Sequence, residues 1–407
     1  MWFRSALFVV IAIGFALAAG FIGAVVPFRI VIDLGQNSVG SLLQIIATAM
    51  LTATTFSVTA MVTAYSSATT TATPRATQLL VEDPTSQNAL STFVGAFVFS
   101  MVGIIALSTG YYTEQGRTIL FLGTLVVIAI VVITLLRWIA HLANFGRMSD
   151  VIDRVERAAS ESLIAYAASP TLGARRLETI PRSAEAVWAD EVGYVVRVDV
   201  AALDRLAVRS HLHVYVNATP GRSADALHPL AYVVGRMDDE SAASLRGAFR
   251  IAAHRDYEQD PRLGIIALSE IGSRALSPAT NDPGTAVEVI AAFQRVFSAA
   301  LRTERDDRVR FERVWIDPPR LETLAVDGFR PLARDGAAFV EVQIRMQKCL
   351  AGLREADPKR SSAFETAADD ALERARAAMA RQDFKALRAA ARSAWATETP
   401  PRAKPAG

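Results

Sequence analysis

Four long stretches without a charged side chain dominate the first third of the sequence. They cover residues 5–28, 34–74, 84–113 and 118–136. At a rise of about 1.5 Å per residue, roughly 20 helical residues cross the roughly 30 Å hydrocarbon core of a membrane. The pattern therefore predicts a transmembrane domain over residues 1–140, with four helices at about residues 5–27, 39–65, 89–110 and 118–138.

The first apolar stretch is open to a second interpretation. Arg4 precedes it, and the small residues Ala16, Ala18 and Ala19 are typical of the cleavage region of a signal peptide. The apolar run nevertheless continues to Val26, which favours a retained helix. If this stretch were cleaved off as a signal peptide, three spans would remain. The rest of the chain would still lie on the same side of the membrane.

The pattern changes after about residue 140, where charged and apolar residues alternate in short runs. Residues 141–185 predict an amphipathic connector helix, and residues 186–236 predict a small β module. Residues 237–396 predict a mainly helical domain, and the proline-rich residues 397–407 a disordered tail. The expected fold class is a multi-pass α-helical membrane protein with four transmembrane helices and a mixed α/β cytoplasmic domain that contains the β module.

Arginines near the predicted spans indicate the orientation. With four spans, the amino terminus, the loop at residues 66–88 and the polar two thirds of the chain share one side. Five arginines lie on that side and two on the other: Arg4, Arg75, Arg137, Arg147 and Arg154 against Arg29 and Arg117. Because basic residues are enriched in cytoplasmic loops, we expect both termini in the cytoplasm.

Charge and cysteine content limit the partners. The formal net charge is +2, and no arginine-rich run is interleaved with aromatic residues, so we expect no nucleic-acid partner. The single cysteine, Cys349, excludes an internal disulfide and a zinc site built from several thiolates. No nucleophile motif or metal-ligand spacing is present, so we predict no catalytic residues, no metal and no cofactor.

The second predicted span carries an unusual polar stripe. Its members recur every three or four residues, which places them on one face of a helix; they are Gln44, Thr48, Thr52, Thr55, Thr59 and Thr63. Small and hydroxyl residues allow helices to pack closely in a membrane. Alternatively, hydroxyl groups from several subunits line a water-filled path. The pattern serves both interpretations equally well.

Two further groups of polar residues are candidate functional features. The first is a polar corner between two predicted helices, made of Asp256, Gln259, Asp260, Arg262, Arg274, Ser277, Asn281 and Asp282. It is interpreted either as ion pairs and helix caps or as a site for a partner, an anion or catalysis. The second is a membrane-proximal loop with Arg75, Asp83, Gln87 and Asn88. It is interpreted either as a capped connection or as a vestibule that contacts the soluble body.

Several of these motifs resemble a known family. They are Gln259-Asp260-Pro261, the run from Arg274 to Pro278, and Asn281-Asp282-Pro283, together with Pro74-Arg75, Asp83, Gln87 and residues 93–97. The sequence is similar in these motifs to the bacterial predicted membrane proteins grouped as domain of unknown function 2254. The resemblance implies a multi-pass bacterial membrane protein with a cytoplasmic carboxyl-terminal body, and it implies no particular activity.

These observations lead to a hypothesis and an alternative, and an enzyme is a third hypothesis that the sequence disfavours. The hypothesis is an inner-membrane, homo-oligomeric pore or transport-like module, coupled to a cytoplasmic regulatory domain. The alternative is a membrane-anchored scaffold or stress sensor without a permeation pathway. The lipid bilayer and further copies of the chain are the expected partners, and the sequence names no ligand.

Overall fold

The computed structural model describes residues 2–25, 36–71, 73–81, 83–143, 145–357 and 362–396. The chain forms two compact units. The first contains Met1–Thr70 and Thr77–Asp150, and the second contains Thr71–Ala76 and Val151–Gly407. The second unit therefore includes a short segment that lies between two apolar helices in the sequence. The predicted disordered tail, residues 397–407, lies outside the described residues.

The first unit is helical throughout its described elements. They are α1 (Trp2–Val25), α2 (Gln36–Thr71), α3 (Pro74–Val81), α4 (Pro84–Ser108) and α5 (Glu114–Leu142). α1, α4 and α5 pack against one another. Leu43 of α2 joins a buried cluster with Phe99 and Leu120. Gly103 permits this contact, because a Cβ atom there would lie 2.9 Å from the Leu43 side chain.

Four helices in the described part are long and apolar enough to cross a membrane. Three of them, Ser38–Thr69, Pro84–Ser108 and Glu114–Leu142, coincide with the second, third and fourth predicted spans. The remaining one, Pro283–Leu301, belongs to the second unit and is about half buried there. The first predicted span falls on α1, which is apolar from Ala6 to Ala19. The last two residues of that prediction, 26 and 27, lie outside the described residues.

The larger part of the second unit starts at Val151, within α6 (Met148–Ala168), and continues into two sheets. Its strands are β1 (Ala174–Arg176), β2 (Glu185–Val187), β3 (Gly193–Val198), β4 (His213–Val216), β5 (Ser223–Ala224), β6 (Ala231–Val234), β7 (Phe249–Ala252) and β8 (Phe311–Ile316). The five-stranded sheet has the order β1-β8-β4-β6-β2, and the three-stranded sheet has the order β5-β3-β7. Helices α7 (Val200–Arg209) and α8 (Asp239–Gly247) lie between strands in the sequence.

Both sheets share one buried core with α7. It includes Val195 of β3, Leu203 of α7, Val214 of β4 and Val314 of β8, all of which are excluded from solvent. Strand β8 lies between β1 and β4 and runs parallel to both. In this register, Arg176 and Val216 each pair with Ile316, so the three strands end at one level.

The rest of the second unit is a group of packed helices. They are α9 (Leu263–Ala275), α10 (Pro283–Leu301), α11 (Leu321–Asp335), α12 (Val340–Ala356), α13 (Ser362–Ala378) and α14 (Arg381–Trp395). α9 packs against α10 and α11, and α12 packs against α10, α13 and α14. Phe293, Phe297, Phe329 and Phe364 form a buried aromatic cluster that joins α10, α11 and α13.

The sheets draw strands from outside residues 186–236, where the β module was predicted. β1 lies in the predicted connector, and β7 and β8 lie in the predicted helical domain. Strand β1 has three residues and β7 has four, too few for an alternating pattern to identify. Alternation identifies a strand such as β8, but it does not identify the strand's neighbour in a sheet.

Candidate functional site

The polar stripe of α2 lies on an uncovered face of the helix. Gln44, Thr48, Thr52, Thr55, Thr59 and Thr63 are all exposed in the chain. At about 100° per residue they fall within about 100° of arc. Exposed apolar residues flank this arc, with Leu51 and Val58 on one edge and Phe56 on the other. The face is therefore polar along its centre and apolar along both edges.

Each threonine hydroxyl of the stripe donates a hydrogen bond within α2. Thr48 donates to the Gln44 carbonyl, and Thr52 donates to the Thr48 carbonyl. Thr55, Thr59 and Thr63 repeat the pattern with the carbonyl four residues earlier, at 2.9–3.0 Å. These bonds satisfy the hydroxyl donors without water. The oxygens keep a lone pair, so they can still accept a bond from a neighbour.

Part of the stripe lines a groove between α2 and α5. The groove has a volume of about 960 Å³. Gln44, Thr48 and Thr52 lie on its α2 side, and Trp138 lies on its α5 side. The Trp138 indole N–H donates to Ser57 Oγ at 2.8 Å, and this bond joins the two helices at the end of the groove. Thr55, Thr59 and Thr63 lie outside the groove.

The residues of the predicted membrane-proximal loop have separate surroundings. Arg75 forms an ion pair with Glu270 of α9, and its carbonyl accepts a bond from the Tyr257 hydroxyl at 2.9 Å. Both contacts lie within the second unit. They attach the segment Thr71–Ala76, which begins at the last residue of α2, to the helices of that unit. Tyr257 could not be found from sequence, because it lies 182 residues from Arg75.

Asp83 is the cap of α4 and is buried in the first unit. Its carboxylate accepts the Ser86 N–H at 2.7 Å and the Ser86 hydroxyl at 2.6 Å. His141 Nε2 lies 3.1 Å from the same carboxylate, and its ring stacks on Trp138. The next polar positions, Gln87 and Asn88, lie in the first turns of α4. The capped connection predicted for Asp83 is therefore present. His141 and Trp138, near the end of α5, are additional members of this region.

The eight residues of the predicted polar corner divide between the two ends of α9. Asp256, Gln259, Asp260 and Arg262 precede the helix, and Arg274, Ser277, Asn281 and Asp282 lie at or beyond its carboxyl end. A helix of 13 residues is about 20 Å long. The structure therefore does not bring these residues into one cluster.

Asp260 is the centre of the group that precedes α9, and it is fully buried. Its carboxylate pairs with Arg255 at 2.6 Å and accepts the Arg262 N–H at 3.0 Å. Burial raises the pKa of Asp260 above its ordinary value of 3.8, and Arg255 opposes that shift. Gly221 lies against the carboxylate, since a Cβ atom there would be 2.5 Å from Asp260 Oδ2.

Two neighbours of Asp260 connect this loop to other elements. Arg262 pairs with Asp327 of α11 at 2.7 Å, and Gln259 Oε1 accepts the N–H of Val198 in β3 at 3.0 Å. Asp256 faces Arg250 at 3.4 Å. Each of these four side chains therefore has at least one structural partner. They hold the loop between the sheets and the helices, and this arrangement corresponds to the structural interpretation of the corner.

The residues at the carboxyl end of α9 form the turn into α10. The Ser277 hydroxyl donates to the Arg274 carbonyl at 2.7 Å, and Asn281 has a positive φ of 49°. Asp282 caps α10 by accepting the Thr285 N–H and hydroxyl at 3.1 and 2.6 Å. These two bonds lower the pKa of the Asp282 carboxyl below its ordinary value of 3.8.

Comparison with known proteins gives the family context. The profile of predicted membrane proteins called domain of unknown function 2254 matches residues 1–352. An uncharacterized protein of Mycobacterium tuberculosis (strain H37Rv) is 27% identical over 349 residues. An uncharacterized protein of Mycobacterium bovis has the same identity over the same length. Each match covers 80% of this chain and 66% of the relative, so the chain spans just under two thirds of their length. No solved structure matches.

Proposed function

Because the chain belongs to the family of predicted membrane proteins called domain of unknown function 2254, we propose that it forms a homo-oligomeric pore in the bacterial inner membrane. In this proposal α2 lines the pathway, both termini lie in the cytoplasm, and the second unit regulates opening. The proposal rests mainly on the uncovered face of α2, which has a polar centre and apolar edges. In a ring of subunits, the apolar edges would contact neighbouring helices and the polar centre would face the lumen.

The contacts of Arg75 support a regulatory role for the second unit. The segment that follows α2 is held there by the pair with Glu270 and the bond from Tyr257. A rearrangement of α9 or of the Tyr257 loop would therefore act on the carboxyl end of the proposed pore helix. Coupling between distant parts of a protein is commonly carried by such chains of ion pairs, hydrogen bonds and rigid helices.

The test is a triple substitution that removes hydroxyl groups and nearly preserves shape. Thr52→Val/Thr55→Val/Thr59→Val would make the centre of the α2 face apolar, and we expect ion flux through reconstituted protein to fall at least tenfold. Thr54→Val is the matched control. Thr54 also donates to its own helix, to the Met50 carbonyl at 2.7 Å, but it lies on the opposite face.

The oligomeric state of the wild-type protein and of the triple variant is measured alongside the flux by native mass spectrometry. A ring that persists while its flux is lost supports the pore. Unchanged flux in the triple variant, or a wild-type protein that is monomeric in lipid, contradicts it.

The hydroxyl bonds within α2 favour a second candidate, the membrane-anchored scaffold or stress sensor. Because all five donors are satisfied internally, the stripe can face lipid or another helix at little cost. In this case neither the wild-type protein nor the valine variant conducts ions, and the variant keeps the oligomeric state of the wild type.

A further inference from the structure

A polar pocket lies at the carboxyl ends of the three parallel strands of the larger sheet. It contains Arg176 and Leu177 at the end of β1, Val216 and Asn217 at the end of β4, and Asp317 directly after β8. The register of the sheet brings these strand ends together, since Arg176 and Val216 both pair with Ile316. Adjacent strands are about 4.8 Å apart, so the β1 and β4 ends are separated by roughly 10 Å.

Three arginines contribute to this pocket from three parts of the chain. They are Arg176 of β1, Arg222 of the turn after β4 and Arg320 directly before α11. All three are exposed, and none of them forms an ion pair with any residue in the described part of the chain. Arg222 makes one long contact, at 3.5 Å, with the Asn217 carbonyl.

The start of α11 borders the pocket at Arg320, and Glu322 lies in the first turn of that helix. Arg320 is the residue at its amino-terminal boundary, and no side chain caps the helix there. The first N–H groups of a helix and its dipole favour an anion at this position. In open sheets, ligands commonly bind beyond the carboxyl ends of parallel strands.

We propose that this pocket binds a small soluble compound that carries phosphate groups. Guanidinium groups match phosphate oxygens in a two-pronged geometry. The volume of about 480 Å³ suits a small molecule. Among the described residues no aromatic ring lines the pocket, so none of them offers a surface for stacking a nucleobase. The walls are mainly polar, which disfavours a lipid tail.

Two acidic residues also line the pocket and lower its affinity for an anion. Glu178 and Asp317 reduce the formal charge of the site from +3 to +1. The site is therefore suited to reversible binding of a ligand whose concentration varies, as in a sensor. It makes no use of α2, so it stands independently of the proposed pore.

The test uses the full-length protein in phosphatidylcholine nanodiscs with pyrophosphate as the probe. Isothermal titration should show one saturable site in the wild-type protein. Arg176→Gln/Arg222→Gln/Arg320→Gln should raise the Kd at least tenfold, because each arginine supplies a charge-assisted bond. The matched control is Arg182→Gln/Arg209→Gln/Arg236→Gln. It removes three exposed arginines outside the pocket and should change the Kd less than twofold.

One further variant is expected to bind the probe more tightly, which is a result that a folding defect cannot produce. Asp317→Asn removes a carboxylate that repels the probe, so the Kd should fall about threefold. The absence of pyrophosphate binding, or equal losses in the two triple variants, would overturn the proposal. Arginine-dependent binding of dihexanoyl phosphatidic acid without binding of pyrophosphate would also overturn it, since the ligand would then be a lipid headgroup.

Discussion

Replacing Asp260 with alanine tests whether the buried pair with Arg255 holds the loop before α9. The Arg255 side chain is 15% exposed and the Asp260 side chain 1%. Asp260→Ala therefore leaves a guanidinium buried without its partner. Breaking a buried pair in this way costs about 3–5 kcal/mol. The Arg262 N–H also loses its acceptor.

Cys349 provides the assay, because it is the single cysteine and is fully buried. Burial raises the pKa of its thiol to about 12, so the folded protein resists thiol reagents at pH 7. Labelling then requires opening of the second unit, and the rate reports the free energy of that opening. A loss of 3–5 kcal/mol should accelerate labelling of full-length protein in micelles by about 100-fold to 4,000-fold.

Two further variants test the role assigned to the pair of Asp260 and Arg255. Asp370→Ala is the matched control, since it breaks a partly exposed pair with Arg374 on α13. Its cost of about 0.5 kcal/mol should change the rate less than threefold. Arg255→Met/Asp260→Asn removes both charges and keeps an acceptor for Arg262, so it should lie within about 1 kcal/mol of the wild type. Labelling of Asp260→Ala at the wild-type rate would refute the assigned role of the pair.

Two other predictions concern the cap of α10 and the orientation of the chain. Asp282→Ala should destabilise the first turn of α10 by about 1 kcal/mol at pH 7, measured by hydrogen exchange. Because the folded pKa of Asp282 is lowered, this contribution is complete above pH 3.8 and disappears as the pH falls through the lowered value; a difference that grows in acid would contradict it. Leu227→Cys places a thiol at a residue that is 83% exposed. With both termini in the cytoplasm, a membrane-impermeant maleimide should label it only after the inner membrane is opened, whereas labelling in intact spheroplasts would reverse the orientation.

The sequence predicted the long apolar helices α2, α4 and α5, because uncharged apolar runs of this length are typical of membrane-spanning helices. The caps of α4 and α10 also have a local signature, since Asp83 and Asp282 are each followed directly by proline at the first helical position. These features depend on neighbours in the chain. The pairs that hold the second unit together do not: Arg75 and Glu270 are 195 residues apart, and Arg262 and Asp327 are 65 apart.

The polar corner shows a related limit of sequence analysis. Its eight residues are close along the chain, but α9 separates them into two groups. The polar pocket at the ends of β1, β4 and β8 is the opposite case. Arg176, Arg222 and Arg320 are far apart in sequence and meet because β1, β4 and β8 end at one level. Strand order and register are needed to detect such a site.

The position of β8 also has a consequence for biosynthesis. This strand lies between β1 and β4, yet it is made more than 90 residues after β4, at Phe311–Ile316. While the ribosome synthesises the intervening chain, β1 and β4 lack the neighbour that joins them and expose unpaired edges. A nascent chain released before residue 316 therefore cannot complete the sheet, and we expect such fragments to be substrates for chaperones or proteases.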